Sequence, residues 1–507
     1  GEEGVAVRTG PGGSFFAEGE SPQGGGGGRK GGAARLLVEA MPSPSPFEGR
    51  HREAARRGAP AGVRVCSYNV LVDQFCDTEW PRKNLYGHCD PKWLSVEYRM
   101  ALVGRELQGY SAGILCLQEV EGRVYKELLQ PQLRRMGMES WYSPKGDSAT
   151  WGSCVCWDAA SFRCVERTLV KYGDREEWAR SSEVASVISK DPHLADALLQ
   201  GQQMGQIVTL DHAGTGRTVI AANTHLFGNP DAPHARVLQM YMLLARVESV
   251  RDSCRAALPT GAAEPGCIVC GDLNSCPGSG TETLAVGGRI AAHHPEWAEG
   301  ASFRNLASRS EREADFFSKL NQEEVAATRR AFAHLAGGDE EAGIEGGVLQ
   351  QVFETCGGEG QAAASCLCKF EESHPQGTTV GYAAFYSLFK DLKQSLYQTD
   401  PAAFSTVFSD MCRCMLSMEP SPAPAPPPEG GAELSHTLGL QSACDSVEVT
   451  FCAGGKCDCV DVILYDGGFQ KAAPFPFFSK EEVSREGGLP TQGFPSDHTS
   501  LVCDLLW

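Results

Sequence analysis

From position 63 onward, short β-branched runs alternate with amphipathic stretches. Residues 63–70, 114–120, 153–157, 207–210, 219–226, 267–273, 460–465 and 501–505 are apolar runs of strand length. Two longer stretches carry apolar residues at helical spacing. Residues 95–108 put Val96, Met100, Val103 and Leu107 on one face. Residues 234–251, entered through Pro233, do the same with Val237, Tyr241, Leu244 and Val247. Strands and helices interleave, which predicts an α/β or α+β fold of packed layers.

The pattern breaks twice. Residues 1–60 are rich in Gly, Ser, Pro and Ala, with the run Gly24 to Gly28, and read as a flexible, disordered tail. The first residue is Gly1 rather than Met, so the natural start is expected upstream, and no apolar secretory core is visible. Residues 310–435 lose the strand signals, gain helical ones and leave through a Pro-rich stretch at 420–428. They are expected to be a helical insertion between two parts of one catalytic domain, residues 61–309 and 436–507. A floppy loop of that length would cost roughly 4 kcal/mol to close, and a folded insert with neighbouring ends avoids most of that.

Composition narrows the class. The 507 residues are 42% hydrophobic and 21% charged, which is ordinary for a globular chain. No run of about 18 apolar residues occurs, so neither a membrane-spanning helix nor a membrane partner is expected. The 21 cysteines fall largely in apolar runs such as Cys267-Ile268-Val269-Cys270 and read as core thiols. One-residue spacings such as Cys154/Cys156 and Cys457/Cys459 do not suit zinc. This points to an intracellular reducing compartment, cytoplasm or mitochondrial matrix. A net charge of -19, about half of it in the insertion, argues against a protein that coats nucleic acid electrostatically.

Polar residues gather where the apolar strands run out: Asn69, then Gln118 and Glu119, Asn223 and His225, Asp272 and Asn274, Asp461, and Asp497 and His498. One such residue is usually a turn or cap. Six clusters at strand ends point to one shared rim. Hard oxygen donors such as Glu119, Asp272 and amide oxygens suit Mg²⁺, which neutralises phosphate charge. An Asp, or a His oriented by an Asp as in Asp461 and His498, supplies a base for water. Asn and His donors stabilise a pentacoordinate transition state. The set suits phosphodiester hydrolysis. Arg99 and Lys145 are the candidate substrate-side bases, Lys145 reading more simply as a solvated surface lysine.

Ser67-Tyr68-Asn69-Val70-Leu71, Leu117-Gln118-Glu119-Val120, Asn223-Thr224-His225-Leu226, Gly271-Asp272-Leu273-Asn274-Ser275 and Pro495-Ser496-Asp497-His498 resemble the ordered motifs of the endonuclease/exonuclease/phosphatase superfamily. The variant is similar to its deadenylase branch, and most to the 2′-phosphodiesterase group that degrades 2′,5′-oligoadenylate. Residues 86–99, 272–297 and 494–507 add to the match. The resemblance implies a four-layer fold, two packed mixed β-sheets flanked by helices, here with an inserted helical lobe. It also implies a Mg²⁺-dependent 3′-to-5′ exoribonuclease, with Mn²⁺ as a substitute. Its substrate would be adenylate-rich RNA, as for a poly(A) deadenylase, or 2′,5′-oligoadenylate, and its product 5′-AMP. Carried over by position, Glu119 and Asn69 bind the metal. Asp272 is general base or water orienter near it, and Asn274 contacts metal or phosphate. His225 binds phosphate, Asn223 faces substrate, and His498, oriented by Asp461 with Asp497 beside it, completes the catalytic set.

Three positions depart from the group. Phe227-Gly228-Asn229-Pro230 lacks a histidine usual there, Lys456 stands for an aromatic, and Val462 for a tyrosine. They bear on base stacking rather than on the metal. The insertion resembles a degenerate pair of EF-hands. With Ile344 at the eighth loop position, the first is Gly337 and the twelfth Val348, neither a ligand, so no tight Ca²⁺ site is expected. It remains a candidate surface for a protein partner. The alternatives are a small-substrate phosphatase of the same superfamily and a non-enzymatic scaffold that binds a partner through the acidic insert.

Overall fold

The computed structural model describes residues 45–507 except 77, 147–148, 302, 306–319, 339–341, 357–365, 367–369, 371–378, 398–400, 421 and 425–430. The Gly-rich run at 24–28, the acidic stretch at 339–341, Gly377 and most of the Pro-rich exit lie outside the described residues.

In chain order the framework is α1 (Glu48–Arg57), β1 (Gly62–Asn69), α2 (Val96–Tyr110), β2 (Ile114–Glu121), β3 (Met138–Pro144), β4 (Trp151–Asp158), β5 (Phe162–Lys171), β6 (Met204–His212), β7 (Thr218–His225), α3 (Pro233–Ala257), β8 (Gly266–Asp272) and α4 (Pro295–Ala301). The inserted lobe follows with α5 (Gln322–Leu335), α6 (Gly346–Cys356), α7 (Tyr382–Tyr397) and α8 (Pro401–Ser417). The chain then returns with β9 (Gln441–Ser442), β10 (Phe451–Ala453), β11 (Lys456–Asp458), β12 (Asp461–Tyr465), β13 (Lys471–Pro474) and β14 (Leu501–Leu506). One six-stranded sheet runs β13-β14-β1-β2-β4-β3 and the other β9-β12-β8-β7-β6-β5. Both are mixed: β1 pairs parallel with β2, and β7 parallel with β8.

Strand periodicity explains the four layers. In β1, Val63 and Val65 point between the sheets while Cys66 and Tyr68 point out onto α2. In β7, Val219 and Ala221 face inward, whereas Ile220 and Ala222 meet Val237 and Leu244 of α3. These strands are buried on both faces, which is why they read as continuous apolar runs rather than alternating ones. Each fully buried Val, Leu or Ile contributes roughly 1.5–3 kcal/mol. β5 and β3 have weaker signals. β5 reads Phe162-Arg163-Cys164-Val165-Glu166-Arg167, is largely exposed and lies at a sheet edge.

The tail reading misses α1, which begins at Glu48. Its Arg50 is buried and donates to the Ser500 hydroxyl and carbonyl, each at 3.0 Å. The lobe has its own core, including Phe332, Val352, Phe385, Phe389, Phe404 and Met411. Its short strands Ala342–Glu345 and Thr379–Val380 pair antiparallel through Ile344 and Val380, which ties the segment before α6 to the segment before α7. After the lobe, Leu434–Ser435 pairs with Arg289–Ile290, which ties the returning chain to a segment that precedes the lobe.

Candidate active site

The strand ends converge. β7 and β8 run parallel in a register that sets His225 beside Asp272, and antiparallel β12 places Asp461 against Asp272 on the other side. Asn69 closes β1. A register shift between Leu117 and Val120 bulges β2 against β4. The bulge re-aims the two residues it contains. Gln118 turns between the sheets and donates to Asn223 Oδ1 at 2.7 Å, while Glu119 turns to the rim. Among the described residues, five non-glycines have positive φ, and three of them, Leu71 (58°), Glu119 (56°) and Asn274 (49°), are at this rim. Such backbone strain collects at functional sites.

Asn69 Nδ2 donates to Glu119 Oε1 and to Asp272 Oδ2, both at 3.0 Å. Glu119 Oε2 accepts from the Val72 amide at 3.0 Å, and Asp272 Oδ1 from the Asn274 amide at 2.9 Å. His225 Nε2 lies 3.5 Å and His498 Nε2 3.6 Å from Asp272 Oδ2. His498 Nδ1 is 2.8 Å from Asp461 Oδ2. Burial and the nearby Asp497 push the Glu119 carboxyl up to about 7. Burial brings His225 down to about 4, so it is a neutral imidazole at physiological pH. For His498, burial opposes the charge, but Asp461 and Asp272 outweigh it and raise its pKa well above the usual value.

Two buried carboxylates around one amide nitrogen lack a full counter-charge, and a divalent cation fits them. Ligand atoms of Glu119, His225 and Asp272 lie within 4.8 Å of one another, as do those of Asp272, Asp461 and His498. The first set is mainly oxygen, which suits a hard cation such as Mg²⁺.

The other expected residues divide. Asn274 lines the cleft and donates from Nδ2 to the Leu226 carbonyl at 3.1 Å. Asp497 also lines it and accepts from the Tyr86 hydroxyl at 2.8 Å. Asn69 turns its amide nitrogen to the carboxylates and gives its oxygen to the Leu71 amide at 3.1 Å, so it presents a donor where a metal needs a lone pair. Asn223 corrects the reading. It is fully buried between the sheets, donating to the carbonyls of Leu117 at 3.1 Å and Cys154 at 3.3 Å, and does not line the cleft. Arg99 is buried as well, and its guanidinium serves the carbonyls of Leu71 at 2.8 Å and Val70 at 3.1 Å. Lys145, read as a surface lysine, lines the cleft with its Nζ 4.4 Å from the centre of the Trp151 ring. Burial lowers its pKa to about 8.

Tyr86, at the start of a segment that adds to the match, holds Asp497. Other cleft residues carry no motif of their own. The Trp151 ring lies 5.7 Å from His225, and the Phe451 ring 5.1 Å from His498. Arg236 fixes the loop that departs from the family pattern, donating to the carbonyls of Asn229 at 2.6 Å and Phe227 at 3.3 Å. Lys456 lies on the β10–β11 hairpin, where Cys452 and Cys457 face each other in register and are disulfide-bonded, so these two are not the free thiols expected.

Residues 66–313 match the Endonuclease/Exonuclease/phosphatase family. The match spans just under half of the chain. Over a longer stretch the chain is 24% identical, across 474 residues, to 2′,5′-phosphodiesterase 12 of Homo sapiens, covering 93% of this chain and 56% of the relative. It is 30% identical over 284 residues to carbon catabolite repressor protein 4 homolog 2 of Arabidopsis thaliana, covering 52% of this chain and 45% of that one. The chain thus spans little more than half the length of the 2′,5′-phosphodiesterase 12 relatives it matches. Its fold is similar to the crystal structure of ANGEL2, a 2′,3′-cyclic phosphatase, in complex with adenosine-2′,3′-vanadate, at TM-score 0.53 and 18% identity over 88% of this chain and 96% of that one.

Proposed function

We propose that this protein is a metal-dependent phosphodiesterase, a 3′-to-5′ exoribonuclease on adenylate-rich RNA or 2′,5′-oligoadenylate that releases 5′-AMP. The observation that carries the reading is the Asp272 carboxylate. One of its oxygens is shared by Asn69 Nδ2 at 3.0 Å, His225 Nε2 at 3.5 Å and His498 Nε2 at 3.6 Å. Asn69, His225 and Asp272 close β1, β7 and β8, and His498 lies in the loop that enters β14, so four segments meet at one rim. The name of one relative, a 2′,5′-phosphodiesterase, supports the same chemistry.

Glu119, with Asp272 and His225, would hold Mg²⁺, which neutralises phosphate charge and polarises the phosphorus. The chain's own residues do the rest. Asp272 orients water and accepts its proton. Asp461 holds the His498 imidazole by Nδ1 and keeps it charged, so Nε2 is a cationic donor toward the phosphoryl oxygens. Asn274 adds a donor from Nδ2. Asn69 keeps the two carboxylates together as a positioning residue. Lys145 brings positive charge to a cleft in an acidic protein, and Trp151 and Phe451 offer flat faces for bases, a contact worth roughly 1–3 kcal/mol each.

The test is a ladder of 5′-labelled oligoadenylates with 3′,5′ and with 2′,5′ linkages, run with Mg²⁺ and with chelator, beside oligouridylate, oligocytidylate and a sugar phosphate. The expected result is stepwise loss of terminal nucleotides only with the cation. Early internal fragments, or equal activity on the sugar phosphate, would sink the exonuclease reading.

A further inference from the structure

The inserted lobe does not merely hang from the core. Arg329 of α5 donates from Nε and Nη2 to Glu299, both at 2.8 Å, and from Nη2 to Glu296 at 3.1 Å. Tyr382 of α7 donates its hydroxyl to Glu299 at 2.7 Å, and Lys390 lies 2.9 Å from Asp231. Glu296, Glu299 and Asp231 are all buried. A buried carboxylate without its cation is strongly unfavourable, so these pairs hold the lobe against the core.

Docked there, the lobe presents one face to the cleft that holds Glu119, Asp272 and His498. Leu320, Asn321, Val325, Arg329 and Tyr386 line it, opposite Phe227 and Arg236 of the core. Arg329 is committed to the two glutamates. The remaining face is apolar and aromatic, with one amide. Asn321 caps α5: its Oδ1 accepts from the Glu324 amide at 2.9 Å, so it meets the cleft as a donor from Nδ2. Flat apolar surface with one hydrogen-bond donor suits a nucleobase: the surface covers the ring and the donor meets a ring nitrogen or carbonyl. A donor without the paired acceptor cannot make the bidentate contact by which an asparagine selects adenine.

We propose that the insert is a substrate-gripping element, in which Asn321, Val325 and Tyr386 hold a nucleoside adjoining the scissile phosphodiester with little choice of base. This rests on the phosphodiesterase reading above, and it extends the site to residues outside the matched family segment, 66–313.

The experiment uses the full chain, wild type, Val325→Trp and Asn321→Asp. The tryptophan fills the cleft. The aspartate keeps the helix cap but replaces the donor with a negative acceptor. Two diesters are compared: a fluorescein-labelled adenylate trimer, and bis(p-nitrophenyl) phosphate, which has no nucleoside to reach the lobe. Binding of the labelled trimer is also followed by anisotropy, independently of turnover, with melting temperature as the control for folding. Both variants should raise KM and Kd for the trimer at least about tenfold, with bis(p-nitrophenyl) phosphate turnover and melting unchanged. Unchanged trimer affinity would overturn the inference, as would parallel loss on both diesters. Hydrolysis of neither diester by the wild type would refute the phosphodiesterase reading itself, while anisotropy would still decide whether the lobe grips the trimer.

Discussion

Asp461 Oδ2 lies 2.8 Å from His498 Nδ1, and both side chains are buried. The pair leaves His498 Nε2 to face Asp272, 3.6 Å away. Asp461→Asn keeps the shape but removes the charge that sustains the imidazolium. Turnover should fall by about 10²-fold, with KM little changed and melting within a few degrees of wild type. Wild-type turnover in this variant would show that His498 acts without its partner.

Cation binding should be readable without activity. A cation held by Glu119 and Asp272 binds the folded state alone, so Mg²⁺ should raise the melting temperature. The rise should disappear in Glu119→Gln and in Asp272→Ala, and chelator should abolish hydrolysis reversibly. Ca²⁺ should add no further stability in an Asp272→Asn protein, because Gly337 and Val348 at the ends of the first lobe loop bring no carboxylate.

Lys145 sets a pH limit. Its pKa is lowered to about 8, so it is charged below that pH and loses its proton as pH rises through it. Attraction for the phosphodiester should therefore be present at pH 7 and fade by pH 9, seen as a rising KM. Lys145→Arg, charged throughout, should flatten the profile. A KM independent of pH in the wild type would remove Lys145 from the substrate contacts.

Asn223 separates a structural from a functional asparagine. Its amide joins both sheets through Gln118, Leu117 and Cys154. Asn223→Ala leaves those groups unpaired and should cost about 1–3 kcal/mol, measured by denaturant unfolding, with KM unchanged. A KM effect at full stability would return it to the substrate side.

That residue also shows how far the sequence could be read. Strand ends were legible because apolar runs stop at polar residues, and period two puts Asn223 and His225 on the same face. Nothing local says how far along the strand the rim lies, and Asn223 is one repeat too deep. Lys145, Trp151 and Tyr86 reach the cleft only through long-range packing. Arg329 does so from a lobe with its own core. β5 was missed because its charged, exposed positions carry no apolar period. The motifs at Glu119, Asp272 and His498 stood out because each needs an unusual backbone or partner at the end of a regular strand.

The first sheet has a further consequence, one of timing. β14 lies inside that sheet, between β13 and β1, so residues 501–506 pair with residues 62–67. During synthesis β1 leaves the ribosome more than 400 positions before its neighbour. Until then it can pair with β2 but has one open edge, and His498 has not been made. Such an edge invites pairing with other chains. The nascent protein therefore carries an open strand edge over a long stretch of its synthesis.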